Sequence, residues 1–254
     1  MKKTLIALAV AASAVSGMAH AWTNGDFNGS VDLGGTITPD VVTGPWEVKA
    51  GSNLTGLDAT VASGVTSVDI TLPNDSLVLG IRSTDWFAGQ SGISPQISYA
   101  ATLGNSFEYG KVDLTLNVKD SSTDQDIGTL TTKLTAAGVV SKVVSGNEST
   151  HNMYASKAGD GFFGGLSSAP ERKTLYTAPV DLANKMDSTI LANWEQKGTF
   201  GDDTPADFTN TSAQFNSFYV SGFEVSDNVS IQLNEALASD VNWKASLPIT
   251  VTYQ

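Results

Sequence analysis

Few side chains in this sequence are equipped for chemistry. Among 254 residues there is no cysteine and there are only two histidines. Thiolate nucleophiles, disulfides and cysteine metal sites are therefore excluded. Hydrolysis by a serine or threonine needs a base and an orienting acid. Beyond the N-terminal segment 1–21, the only imidazole is His151, in the polar run Glu148-Ser149-Thr150-His151-Asn152. No G-x-S-x-G turn accompanies it. Asp120, Asp124 and Asp126 place carboxylates close together, but without the glycine turn and distal glutamate of a calcium loop. They are expected to sit in a solvated hairpin turn. Asp202-Asp203 is a second acidic pair. Gly159-Asp160-Gly161-Phe162-Phe163-Gly164 matches G-x-G-x-x-G literally. A dinucleotide site needs a strand before such glycines and a helix opening on them. Neither flank supplies these, and two phenylalanines stand where the backbone must approach pyrophosphate, so a surface loop is expected. These residues predict no enzyme, no cofactor and no metal site.

Aromatic side chains are the remaining carriers of specificity. Trp86, Phe162, Phe163 and Trp194 are candidate receptor-binding residues, because a flat apolar ring offers a stacking surface for a sugar. The competing expectation is that these rings pack in the core.

The elements that must hold these residues read as strands. Phe27, Val31, Leu33 and Ile37 fall on one face, with Asn28, Ser30, Asp32 and Thr36 on the other. That period of two marks a half-buried strand. Similar runs occur at 68–72, 77–81, 112–118, 127–134, 218–225, 229–233 and 249–253. Turn residues separate them, as at Pro73-Asn74-Asp75 and Ser226-Asp227-Asn228. Many short strands with such punctuation predict an all-β sandwich. The stretch of about 145–215 is richer in Gly, Ser, Thr and Asp and reads as an insertion. It contains one helix candidate, 179–197, where Leu182, Met186, Ile190, Leu191 and Trp194 recur at helical spacing. Pro179 suits the entry and Gly198 the stop.

The N-terminal segment 1–21 reads as a signal peptide. Lys2 and Lys3 precede an apolar run, and Ala19-His20-Ala21 supplies an A-x-A cleavage pattern. The apolar run is too short to span a bilayer. The formal charge of the chain is −12, which repels phosphate backbones and argues against nucleic acid as a partner.

Both ends of the chain resemble one family. Met1-Lys2-Lys3-Thr4-Leu5-Ile6-Ala7-Leu8-Ala9 and the stretch from Gly25 through Phe27, Val31 and Leu33 to Ile37-Thr38 are similar to the leader and N-terminal strand of FaeG-like chaperone–usher fimbrial subunits. Trp46-Glu47-Val48-Lys49, with Gly51 and Leu54, continues the likeness. Trp243-Lys244-Ala245-Ser246-Leu247-Pro248 and the run to Tyr253 resemble the family's closing strand.

The resemblance implies an incomplete immunoglobulin-like β-sandwich, completed by a donor strand and carrying an inserted region with a short helix. Its division would be 1–21 signal peptide, 22–38 donor strand and 39–254 pilin-type domain. Phe27, Val31, Leu33 and Ile37 would be the donor residues. Ile249, Val251, Tyr253 and Gln254 would form the edge offered to a chaperone or to the next subunit, with the carboxylate of Gln254 held by basic chaperone residues. Implied partners are a periplasmic chaperone, an outer-membrane usher, neighbouring fimbrial subunits and a host glycan or glycoprotein receptor. The implied function is a structural and adhesive subunit of a bacterial surface fimbria, assembled by donor-strand exchange. The rival expectation is a monomeric exported carbohydrate-binding module, which needs a complete sandwich.

Overall fold

The computed structural model describes residues 44–104, 106–170 and 178–254. The signal peptide and the donor strand, both expected within segment 1–38, lie outside these.

Twelve strands form in the described chain. They are β1 Trp46–Ala50, β2 Ser67–Thr71, β3 Ser76–Ser83, β4 Phe87–Ala88, β5 Pro95–Ser98 and β6 Lys111–Asp120. They continue as β7 Asp126–Val144, β8 Asn147–Asn152, β9 Ala213–Phe223, β10 Asn228–Leu233, β11 Trp243–Ala245 and β12 Thr250–Tyr253. One helix, α1 Ala178–Asp187, runs into a 3-10 turn at Ser188–Leu191. Each alternating run downstream of segment 1–38 became a strand, as expected.

The long strand β7 organises the sandwich. Its first half pairs with β6 on one side and β10 on the other, with β2 beyond β10. Its second half pairs with β9 and β8, with β3 and β1 beyond β9. One strand thus serves both halves of the fold. Its side chains record the change. Around Leu130, Thr132 and Leu134 it alternates between buried and solvated positions. From Ala136 to Ser141 every residue is buried, because the main core lies on one face and α1 covers the other. Ala136 and Val140 enter the main core, while Ala137 and Val139 meet Leu182, Ala183 and Ile190 beneath the helix. Val112, Leu114, Leu116 and Val118 of β6 supply four more core residues. Burying each contributes roughly 1.5–3 kcal/mol.

The helix lies close to the sheet because glycine permits it. A Cβ on Gly222 of β9 would stand 2.4 Å from Met186 Sδ and 2.6 Å from the Ser76 carbonyl. The helix is shorter than its periodicity predicts. It stops at Asp187, whose side chain accepts a hydrogen bond from Thr189 N at 2.9 Å and caps the 3-10 turn instead. Ile190 and Trp194 still reach the inner face, but from the turn and the loop after it.

The stretch read as an insertion is woven into the sandwich. Within it, β8 pairs with β7, and Phe162, Leu166 and Phe208 belong to the main core. Trp46, Phe87, Phe162 and Phe208 form an aromatic cluster with ring centroids 5.1–6.2 Å apart, a range that favours edge-to-face contact.

Candidate functional site

Among the described residues, an open cleft runs along one side of the sandwich. Its first wall begins where β1 ends. Gly51 N donates to the Val78 carbonyl at 3.0 Å. Residues 52–61 then make no backbone–backbone hydrogen bond among the described residues. Leu54 and Leu57 still pack on the core, half-buried.

The second wall is the C-terminal stretch. From Val241 to Val251 the chain alternates without a break between half-buried and exposed residues. Trp243, Ala245, Leu247, Ile249 and Val251 turn to the core, yet none is fully buried. β11 pairs with β6 and β12 pairs with β5. Between them, residues 246–249 make no backbone–backbone hydrogen bond among the described residues.

The floor between the walls is apolar. Leu72, Val78, Leu114, Leu116, Leu130 and Val229 line an open cleft of about 650 Å³. A second cleft of about 520 Å³ continues past Asp58 and Trp243, which line both, over Val68, Ile70, Ile127 and Ile231. The result is a trough with an apolar floor and two rims, 52–61 and 246–249, whose backbone is unpaired among the described residues. Unpaired backbone groups seek hydrogen bonds, and an apolar strip left in water favours association. Such a trough is complementary in pattern to an extended strand with apolar residues at every second position.

Charge pins one wall. Asp124, in the β6–β7 hairpin, pairs with Lys244 of β11 at 2.8 Å and with Lys119 at 3.0 Å. Lys244, and then Lys119, hold its carboxyl at about 2, below the ordinary value. The hairpin expected at Asp120, Asp124 and Asp126 is therefore structural. Asp120 Oδ1 accepts from Ser122 N and Thr123 N at 2.6 and 3.2 Å.

The residues expected to form the C-terminal edge lie at the far end of this wall. Ile249 lines the trough and Val251 packs on the core. Tyr253 stands opposite Pro95, and the Gln254 backbone exchanges hydrogen bonds with Ser94 at 2.9 and 3.1 Å. The trough itself lies upstream, along 241–249. The floor residues and the 52–61 rim were not identified from sequence. The alternation at Trp243, Ala245 and Leu247 was the available signal. The donor candidates Phe27, Val31, Leu33 and Ile37 lie outside the described residues.

The aromatic candidates separate in the structure. Phe162 is fully buried, 0% exposed, against Trp46, Phe208 and Tyr219. This corrects its expected role as a surface stacking residue, since no receptor reaches it. Phe163 is half-buried on the main core. Trp194 is half-buried with its edge against Phe218 at 5.3 Å. Trp86 is half-buried and donates from Nε1 to Glu195 at 3.1 Å. Outside this set, Tyr109 is 69% exposed.

The glycine motif is likewise interior rather than a surface loop. Asp160 is 2% exposed and accepts hydrogen bonds from Ser156 N, Ser156 Oγ and Lys157 N. A Cβ on Gly161 would stand 2.4 Å from the Phe208 ring, and one on Gly164, where φ is +84°, 2.1 Å from the Ile97 carbonyl. Phe162 N donates to the Pro95 carbonyl and Ile97 N to the Phe163 carbonyl, at 2.6 and 2.8 Å. The segment holds β5, and β5 holds β12. Its glycines serve packing, not phosphate. His151 hydrogen-bonds through Nδ1 to the Asp202 carbonyl, and its Nε2 is buried without a partner. No group of three or more metal-ligating side chains occurs among the described residues.

Comparison with known proteins places this geometry in context. A family model described as "Fimbrial, major and minor subunit" matches residues 1–254. The K88 fimbrial protein AB of Escherichia coli is 30% identical over 290 aligned positions, covering all of both chains. The F41 fimbrial protein of Escherichia coli is 30% identical over 282, again covering all of both. The K88 minor fimbrial subunit FaeI of Escherichia coli is 27% identical over 241, covering 90% of each.

Proposed function

Because the chain belongs to the family of major and minor fimbrial subunits, we propose that it is a structural subunit of a bacterial surface fimbria that polymerises by donating a strand to its neighbour. The trough between 52–61 and 241–249 is the acceptor. The donor is the segment around Phe27, Val31, Leu33 and Ile37 of the next subunit. The observation that carries this reading is the unbroken alternation from Val241 to Val251, in which every core-facing side chain stays half-exposed. A finished sandwich buries such residues. This one leaves them for a partner.

The energetics are favourable. Four donor side chains buried in the trough contribute roughly 6–12 kcal/mol together, before ordering costs. A backbone ladder along both rims adds to this and sets the register. Before assembly the trough is an aggregation hazard, so a periplasmic chaperone occupies it until an outer-membrane usher presents the next donor. Export to the cell surface follows from the fimbrial role, and attachment to host cells is its use. The monomeric carbohydrate-binding module loses support, because a complete sandwich has no such trough.

Deletion of residues 22–38 tests the reading. The truncated subunit should accumulate as a chaperone-bound monomer on size exclusion and yield no fibres by electron microscopy. Fibres built from the truncated subunit alone would overturn it.

A further inference from the structure

The sheet that runs from β1 through β3, β9, β7 and β10 to β2 has two ends. At the first of them, β1 pairs with β3 alone among the described residues, from Trp46 opposite Ser83 to Ala50 opposite Leu79. In an antiparallel ladder alternate residues bond to the partner strand. Thr84 N donates to the Pro45 carbonyl and Gly51 N to the Val78 carbonyl, at 2.8 and 3.0 Å. Glu47 and Lys49 share that alternation, so their backbone groups face β3. Val48 and Ala50 therefore turn N–H and C=O away from the sheet. Neither makes a further backbone–backbone hydrogen bond among the described residues. Every residue from Glu47 to Ala50 is exposed, and Val48 keeps 47% of its surface in water.

An open strand edge invites pairing, and charge is a common guard against it. Toward a copy of itself, the charge on β1 does the reverse. In an antiparallel pair with its two-fold axis at Val48, that residue lies opposite Val48 of the second copy. Glu47 then lies opposite Lys49 of the second copy, and Lys49 opposite its Glu47. Opposite charges directly across a ladder attract. Both side chains are accessible, Glu47 at 51% and Lys49 at 59%. Arg82 engages Glu47 through Oε2, and Asp187 occupies one of the three donors of the Lys49 ammonium. β2, at the other end of the sheet, lacks this property. Its central residue is Asp69, which the same symmetry would set against Asp69 of the copy.

We propose that β1 is an isologous contact between two copies of this chain, joined edge to edge as antiparallel strands about Val48. Val48 of each copy exchanges both backbone hydrogen bonds with the other, and two Glu47–Lys49 pairs flank them. Strand donation through the trough is heterologous and extends a fibre without closing. A two-fold contact closes on itself, so it joins subunits of two fibres side by side. Each contact is small, but it recurs on every subunit, and contacts repeated along two fibres reinforce one another. No residue of β1 lines the trough, so this contact is physically separate from strand donation.

The chain has no cysteine, so one introduced thiol reports the contact. Facing residues of a hydrogen-bonded antiparallel pair stand about 5.5 Å apart at Cα, within disulfide range. The purified full chain carrying Val48→Cys, oxidised with copper phenanthroline, should run as a dimer on a non-reducing gel. Val65→Cys, at a residue 42% exposed, should give roughly tenfold less dimer. On the Val48→Cys background, Glu47→Lys or Lys49→Glu should each reduce the dimer roughly fivefold at low salt. An equal mixture of these two variants should recover it as a dimer of unlike chains, because each presents the charges that the other lacks. Mixing cannot recover a loss caused by the pairs with Arg82 and Asp187 inside one chain. A dimer yield from Val48→Cys no higher than from Val65→Cys overturns the proposal, and so does a mixture that yields no more than its components. Electron microscopy of the Val48→Cys chain reports fibre formation separately, so failure of this contact and failure of the fimbrial role are distinct results.

Discussion

At the scale of single residues, aromatic rings of similar sequence context come to opposite ends. Phe162 sits between Gly161 and Phe163 in a polar, glycine-rich stretch, yet it is an anchor of the core. The polarity around it hides this, because Asp160 spends its charge on the backbone N–H groups of Ser156 and Lys157 and so can be buried beside the ring. Phe162→Ala should therefore destabilise the chain by about 3–5 kcal/mol, read from urea unfolding. A loss below about 1 kcal/mol would contradict the packing. Tyr109 is the converse case, an isolated aromatic in a loop that no core claims. Its exposure is invisible in sequence, because a lone ring between charged and glycine neighbours carries no periodicity.

At the scale of elements, local pattern and long-range pairing separate. The strands were legible wherever one face is buried and one is wet, because period two belongs to the backbone itself. Short β1, β4, β5 and β8 were legible less well, since few residues leave little pattern. The helix was read too long, because periodicity continues through Ile190 and Trp194 while the backbone breaks at Asp187. The trough lies between 52–61 and 241–249, near opposite ends of the chain, and no local pattern encodes their separation. Hydrogen exchange tests its rims. In the isolated chain, amides of 52–61 and of Ser246, Leu247 and Ile249 should exchange faster than those of β6 and β9. Adding a peptide spanning 24–38 should slow them by roughly tenfold or more, while β9 stays unchanged. Equal protection before and after addition would contradict a vacant strand position.

At the scale of the whole molecule, half-buried ion pairs tie distant parts together and set the response to acid. Burial works to raise the Glu224 carboxyl, yet hydrogen bonds from Lys111 and Thr135 bring it below its ordinary value. Lys49, and then Thr189, hold Asp187 at about 2. Asp124 lies at about 2 for similar reasons, but it is exposed and its pairs are screened by salt. All three are depressed relative to the unfolded chain. Their contribution is present above the ordinary carboxylate values near 4 and is lost as pH falls toward 2. The melting temperature should be level between about pH 5 and 7 and fall steadily from about pH 4 downward. A melting temperature unchanged to about pH 2 would contradict these pairings. The sequence by itself determined that the chain is built of alternating strands, that it has no cysteine and, beyond segment 1–21, a single imidazole, and that its C-terminal stretch alternates. Each of these is a property of residue types and of a backbone whose side chains point to opposite faces in turn. Only the tertiary structure decided which aromatics are interior and which stretches of backbone, among the described residues, run along the sandwich without a backbone partner. Burial depends on every neighbour at once, and whether a stretch of backbone finds a partner is defined only when all the surrounding strands are in place.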